Sequence, residues 1–511
     1  MKQKLENQSV SSSLDENLNR INNIFELPEN MDFVIRRFFI PMNPPLEAAL
    51  LFSKTLVDKK DINSAILSPL FNTQNIDSLK GDILTILTTQ ILPVSELEPV
   101  QDLPVIIKAV QSGDTILFVD GSAGAIIIET KGFEHRAIGS PRIEQTVRGS
   151  QSAFTETLLT NISLVRLMLR APDLVTDVVA IGKRSQTDCA ILYVQSIANP
   201  SLVAEVKRRV KSICIDYIAA GTLEQFIEDH PRVFLPQILS TERPDRVAAH
   251  LAEGRVALLL DGDPFALVVP ATFFTLIHSP EDFALKPPAG TFMRLLRLIA
   301  MTIATLSPSL YIALAYYHPE AMPTDLLLAI AGARERIPFP AVVEVFIMEL
   351  SFEFTREASL RKPGLLGETI GVVGGIILGQ AVVSANLISP VTVVVVAITA
   401  LASFGIPDYR VGMAVRQLRF IFLLAAATLG LLGVAGLIFT GTVLLCSIKS
   451  FGVPFLSPLA PKTTSGDDAI TLAGVANQEQ RPDQLNTKER RRQSPISRNW
   501  LKRRPIGRDR L

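Results

Sequence analysis

Hydrophobic positions divide the chain into three unlike stretches. Up to about residue 290 the apolar runs are strand-length and broken by Gly, Pro, Asn and Asp. From Arg294 to Ser450 they lengthen until several could cross a bilayer, and from Lys462 onward they stop. Short runs bounded by turn residues predict an α/β region, and runs of about 20 apolar residues predict membrane helices. The expected fold is an α+β and α-helical membrane protein: an N-terminal cytosolic α/β region of two similar subdomains, followed by a polytopic α-helical transmembrane domain. The expected order is a disordered Ser/Asn-rich segment at 1–30, α/β subdomains at 31–135 and 172–290, a connecting helical segment at 136–171, a transmembrane domain of four to five spans at 291–451, and a disordered basic tail at 452–511.

The two-subdomain expectation rests on an internal repeat. Gly113, Asp120, Gly121 and Ala125–Ile128 recur about 140 residues later as Gly254, Asp261, Gly262 and Ala266–Val269 at the same offsets. In each copy two β-rich runs flank an Asp-Gly pair, the signature of a hairpin. Asp is favoured in turns by its own backbone hydrogen bonding, so neither Asp120 nor Asp261 is assigned as an acid or a metal ligand. Between the copies, Arg142, Arg148, Arg166 and Arg170 with Glu144 and Glu156 fit a phosphate or anionic-lipid site, or a solvated face with interdomain ion pairs.

In the apolar block, Leu295–Tyr317 would span about 34 Å as a helix, with a bend at Pro308, and Leu418–Ile448 about 46 Å, so the latter must tilt, leave the bilayer, or bend at Gly430, Gly433 or Gly436. Leu365–Ile388 carries Gly367, Gly371, Gly375 and Gly379 at four-residue spacing, one bare stripe on a helix. Such a stripe weakens a helix in water by about 1 kcal/mol per glycine, but in lipid it permits the close backbone approach that drives helix association. Val391–Phe404 is a further apolar run, and Ala341–Leu360 is apolar yet acidic. There Glu349, Glu353 and Glu357 fall on one helix face, and Glu344, Ser351 and Thr355 lie near the opposite one. Ionisable groups at membrane depth persist mainly where they face water, a pore or a partner, so these six residues are the candidate ion-conducting positions if one helix per subunit builds a ring. The alternative is an interfacial amphipathic helix with its glutamates in headgroup water.

A formal net charge of zero hides a basic tail with Arg490–Arg492 and Lys502–Arg504, expected on the cytoplasmic side. The start of the sequence has no apolar signal core, so the α/β region is expected to stay where it is made. Three scattered cysteines exclude a disulfide framework, and the five histidines lack ligand spacing, so no metal and no cofactor is expected. Phosphate-binding loops, nucleophile elbows, HExxH and CxxC are all absent, and the chain reads as a non-enzyme with no nucleic-acid partner.

Long stretches in a fixed order, SPRIEQTVRGSQSAFTETLLTNISLVR, STERPDRVAAHLAEGRVALLLDGDPFALVVP, SPEDF, PFPAVVEVFIMELSFEFTREA and SFGVPFLSPLAP, resemble the A subunits of spore germination receptors, the GerA-type family of endospore-forming bacteria. The resemblance runs from about Leu46 to Pro461, with one departure at GSQSAF. It implies a membrane subunit in the spore inner membrane, acting with a transporter-like B subunit and a lipoprotein C subunit in nutrient sensing. It further implies a homo-oligomer among membrane lipids that releases cations when triggered. A membrane-anchored sensor or scaffold whose α/β subdomains bind a small molecule or partner stands as the alternative, and a secondary transporter as a third.

The glycine stripe yields a first prediction. Leu at Gly371, Gly375 and Gly379 together should abolish assembly and the germination response, while Ile377→Leu should be mild. Intact oligomers in detergent with a normal response would show that the stripe is not a packing face.

Overall fold

A computed structural model of the chain describes residues 9–72, 82–132, 139–361, 379–463, 469–474 and 478–493. They fall into two compact units: one drawn from the chain before Asp229, from Ile238–Pro270 and from the residues after Gly474, the other from Asp229–Gln237 and Ala271–Gly474.

The first unit contains the repeat. Helix α1 (Leu14–Ile24) precedes strands β1 (Phe33–Ile40), β2 (Leu46–Ser53) and β3 (Leu97–Val100), helix α2 (Leu103–Ser112), and strands β4 (Thr115–Val119) and β5 (Ala125–Ile128). The second copy runs α3 (Leu158–Met168), β6 (Leu174–Ile181), β7 (Thr187–Val194), α4 (Pro200–Lys211), β8 (Leu239–Thr241), α5 (Pro244–Glu253), β9 (Val256–Leu260) and β10 (Ala266–Val269). The sheets share one antiparallel order, β1-β2-β4-β5-β3 and β6-β7-β9-β10-β8. Central strands β4 and β9 are buried along their whole length, as their almost wholly apolar sequences require.

The Asp-Gly pairs do more than turn a hairpin. Asp120 Oδ1 accepts the backbone N–H of Leu14 at 3.0 Å, and Asp261 Oδ1 accepts that of Leu158 at 3.0 Å. Each carboxylate thus caps, from the far end of a strand, the first turn of the helix of its own copy, where free N–H groups and the helix dipole favour a negative charge. The neighbouring glycines repeat the match: Gly121 N–H donates to Ser12 O at 2.9 Å and Gly262 N–H to Glu156 O at 2.7 Å. Helices α2 and α5 both end on a left-handed glycine, Gly113 at φ 96° and Gly254 at φ 101°.

Three boundaries differ from expectation. Residues 14–24 are helical, because Leu14, Leu18 and Ile21 recur at i, i+4 and i+7 and join Leu51, Ile106 and Phe118 in one core. A Ser/Asn-rich average concealed that spacing. Helix α3 belongs to the second copy rather than to a connector. In the tail, Leu485 is buried, Lys488 N–H donates to Ile197 O at 3.0 Å, and Arg481 Nε donates to Ala252 O at 2.9 Å, so residues 478–493 fold onto the first unit.

The two copies meet at a buried charge. Asp32 accepts hydrogen bonds from Ser53 Oγ at 3.0 Å and Thr55 Oγ1 at 2.8 Å, and forms an ion pair with Arg166 of α3. Arg166 in turn donates to Asn30 Oδ1, Leu174 O and Thr176 Oγ1, all at 3.1 to 3.2 Å, with its guanidinium over the Phe33 ring. Of the two readings of the connecting arginines, Arg166 takes the ion pair.

The second unit begins earlier than residue 290, because Phe274 and Ile277 pack with Leu298, Met301 and Ala469. Its long helices are α6 (Pro287–Ile312), α7 (Thr324–Arg334), α8 (Ala341–Arg361), α9 (Pro390–Phe404) and α10 (Tyr409–Ser447). Among the described residues two helical segments, Pro287–Tyr317 and Tyr409–Ser447, are long and apolar enough to cross a membrane. Helix α6 runs through Pro308, and α9 has 15 residues, about 22 Å, short of a hydrocarbon core. Most of the glycine stripe, Gly367, Gly371 and Gly375, lies outside the described residues; at Gly379 no described atom lies within 4 Å of an added Cβ.

A pH dependence follows from His250 in α5. Burial, helped by the charge of Arg255 and opposed by the Glu253 carboxylate 3.2 Å away, lowers its pKa from 6.5 to about 4. The unfolded chain therefore binds the proton first as pH falls. Stability of the first unit should be full above pH 6.5 and should drop by roughly 3 kcal/mol as pH falls to about 4. Thermal unfolding of the detergent-solubilised chain across that range should show the decline, and His250→Gln should flatten it.

Candidate functional site

Helix α8 follows Pro340, whose C=O accepts the first intrahelical N–H groups, and it packs through Val345 against Ile312, Phe422, Leu423 and Ala426. Its acidic residues enter an apolar setting, and each is met differently.

Glu344 is fully buried. One carboxylate oxygen accepts Ser389 N–H at 2.8 Å and Thr392 Oγ1 at 3.2 Å; the other lies 3.4 Å from Arg334 Nε. Ser389 is the N-cap of α9, so Glu344 places its charge at the positive end of that helix. Glu349, 1 % exposed, pairs with Arg419 of α10 at 2.6 Å, and Arg419 Nε also donates to Ala304 O at 2.7 Å. Glu353 accepts Arg416 Nη1 at 3.0 Å and lies 3.8 Å from Arg356. Arg356 donates to Ser403 Oγ at 3.0 Å and stacks over Phe404. Glu357 is exposed. Ser351 and Thr355 spend their hydroxyls on the carbonyls of Ile347 and Ser351, one turn back on their own helix.

Three of the four acidic residues of α8, Glu344, Glu349 and Glu353, thus each face a guanidinium. Removing one partner of such a pair strands the other charge in an apolar bundle, a loss of about 3–5 kcal/mol in typical buried pairs. Sequence reasoning missed Arg334, Arg416 and Arg419. Their signal was present: Arg416 and Arg419 stand three apart, on one face, at the entrance to an apolar run.

The arginine-bearing part of α10 ends at Gly430, whose φ of 60° and ψ of −139° break the helix. Only glycine adopts this conformation readily, and a Cβ there would lie 2.8 Å from Cβ and Cγ of Tyr317. Of the alternatives left open by the length of this run, a bend is present, and it falls at Gly430, the first of the three glycines.

A second constellation lies in the first unit, where two of the sequence boxes meet. Glu242 accepts the N–H groups of Ile143 and Glu144 at 2.6 and 2.9 Å. Arg243, 1 % exposed, donates to Glu144 O, Thr146 Oγ1 and Ser150 O, and Glu144 pairs with Arg246. This clamp holds the 142–150 loop while Arg142 and Arg148 face solvent. With Arg166 buried against Asp32, the four connecting arginines do not form one anion site.

A duplicated α/β body joined to an apolar helical unit with paired internal charges defines a two-part protein whose helical unit has the composition of a membrane domain. The chain belongs to the Bacillus/Clostridium GerA spore germination protein family, whose model matches residues 19–484. It is 36% identical over 486 residues to spore germination protein KA of Bacillus subtilis (strain 168), covering 95% of this chain and 89% of that protein. It is 35% identical over 460 residues to the uncharacterized membrane protein YfkQ of the same organism, covering 88% and 87%. The N-terminal domain of the A subunit of the Bacillus megaterium spore germinant receptor GerK3 is 31% identical; the match covers 52% of this chain and 98% of that one, with a TM-score of 0.40. The family membership read from the motif boxes is borne out.

Gly430→Ala should destabilise the helical unit by about 1–3 kcal/mol, the usual cost of a side chain in a glycine-only conformation. Gly436→Ala, with no described atom within 4 Å of the added Cβ, should be near neutral in the same detergent melting assay.

Proposed function

We propose that this chain is a non-enzymatic membrane subunit of a nutrient germinant receptor that triggers spore germination, and that several copies form a cation channel opened when germinant is sensed. One observation carries the reading: α8 brings Glu344, Glu349 and Glu353 into an apolar helical unit. Carboxylates in such surroundings are costly and are retained mainly where an ion or a partner uses them. A ring of them, one helix per subunit, would concentrate cations in a narrow passage.

In this proposal the protein sits in the spore inner membrane with a transporter-like B subunit and a lipoprotein C subunit, and its first unit faces the cytoplasm. The folding of residues 478–493 onto the first unit supports a multi-pass arrangement with an even number of crossings, because the two must share a compartment. A second reading, a membrane-anchored scaffold, draws on the arginine partners, which leave Glu349 and Glu353 neutralised within one chain.

Glu349→Gln combined with Glu353→Gln decides between them. The channel reading expects potassium release on germinant addition, measured per copy of the protein present, to fall sharply, beyond any loss of abundance from stranding Arg419. Normal release from a normally abundant variant would leave the scaffold.

A further inference from the structure

Glu349 and Glu353 are four apart on α8, and their partners Arg419 and Arg416 are three apart on α10, so the pairs form two rungs of an antiparallel ladder. The rungs differ from the third acidic contact. Glu344 accepts two neutral donors at the start of α9 through one oxygen, and Arg334 lies near the other. Glu349 pairs with an arginine carried by another helix, and Glu353 accepts its hydrogen bond from the same helix, with Arg356 of its own helix 3.8 Å away.

Two features of the geometry bear on how that contact could be released. The buried rung is half satisfied: Glu349 Oε1 and Arg419 Nη2 are buried with no hydrogen-bond partner among the described residues, so each group binds the other through one atom only. A hydrated cation or a water could take the free carboxylate oxygen before the arginine leaves. In addition, α10 is broken at Gly430, so the 409–429 segment that carries both arginines is a helical segment of its own that ends at a kink, the kind of position where a hinge is commonly placed.

We propose that Arg419 and Arg416 are positioning residues that hold the pathway carboxylates in a closed, neutralised state, and that opening moves the arginine-bearing segment off them about Gly430. This rests on the channel reading. It assigns to the arginines the task of withholding the negative charge that a cation would otherwise find. A merely structural pair, when broken, would lower activity; a latch, when broken, should raise it in the absence of any stimulus.

The test uses spores producing the full chain with its receptor partners, held in nutrient-free buffer, with potassium loss and protein abundance both measured. Arg416→Gln and Arg419→Gln should each raise unstimulated potassium loss about tenfold or more, the scale of a typical coupling between two sites. The exchanged variant Glu349→Arg with Arg419→Glu should bring the loss back toward wild type. Adding Glu349→Gln and Glu353→Gln to Arg416→Gln should abolish the leak. If Arg419→Gln fails to accumulate, Arg416→Gln decides alone, since its partner Glu353 is partly exposed. Wild-type loss from abundant arginine variants would overturn the latch. If the glutamine substitutions at 349 and 353 still block stimulated release, the channel reading survives; if release is normal, both fall.

Discussion

A charge taken out of water must meet an opposite charge or several hydrogen bonds, and each unit of this protein is arranged around that requirement. In the first unit Asp32 belongs to one copy of the repeat and Arg166 to the other, so the pair is complete only when both copies are folded and docked. In the second, the acidic helix α8 is satisfied only with α10, α9 and the end of α7 in place. The hydrophobic contacts around these pairs supply most of the cohesion, but they are non-directional. The pairs set which face of each helix turns inward.

Duplication gave the first unit its economy. One solution, an Asp in the hairpin capping a distant helix start, appears in both halves with the same bond length. Asn17 and Asn161 add a matching pair of bonds to the segments before α1 and α3. What lies between the copies is held by a different device, the Arg243 and Glu242 clamp, which ties the connecting loop to the start of α5.

Features encoded by local pattern were legible in the sequence. The repeated Gly, Asp-Gly and apolar tetrad located two like subdomains, and an apolar run too long for a straight span left a bend as one of three ways to fit it, the one α10 shows at Gly430. Features that depend on a distant partner were not. Asp120 reads as a turn residue because Leu14, which it caps, lies 106 positions away. Glu349 reads as a bare carboxylate because Arg419 is 70 positions away and on another helix. Helix α1 is masked for a different reason: polar residues fill its outer face, so its composition resembles a solvated tail while its spacing is that of a core helix.

The fold of residues 478–493 has a consequence for the order in which the molecule can be made. The first unit receives its final piece from the far end of the chain, where Thr487 packs against Gly254 and Lys488 N–H bonds to Ile197 O. Everything in the helical unit between Ala271 and Gly474 is translated before that piece exists. In terms of connectivity the helical unit is an insertion within the α/β unit, and during synthesis the surface around Gly254 stays open until the helices have left the ribosome.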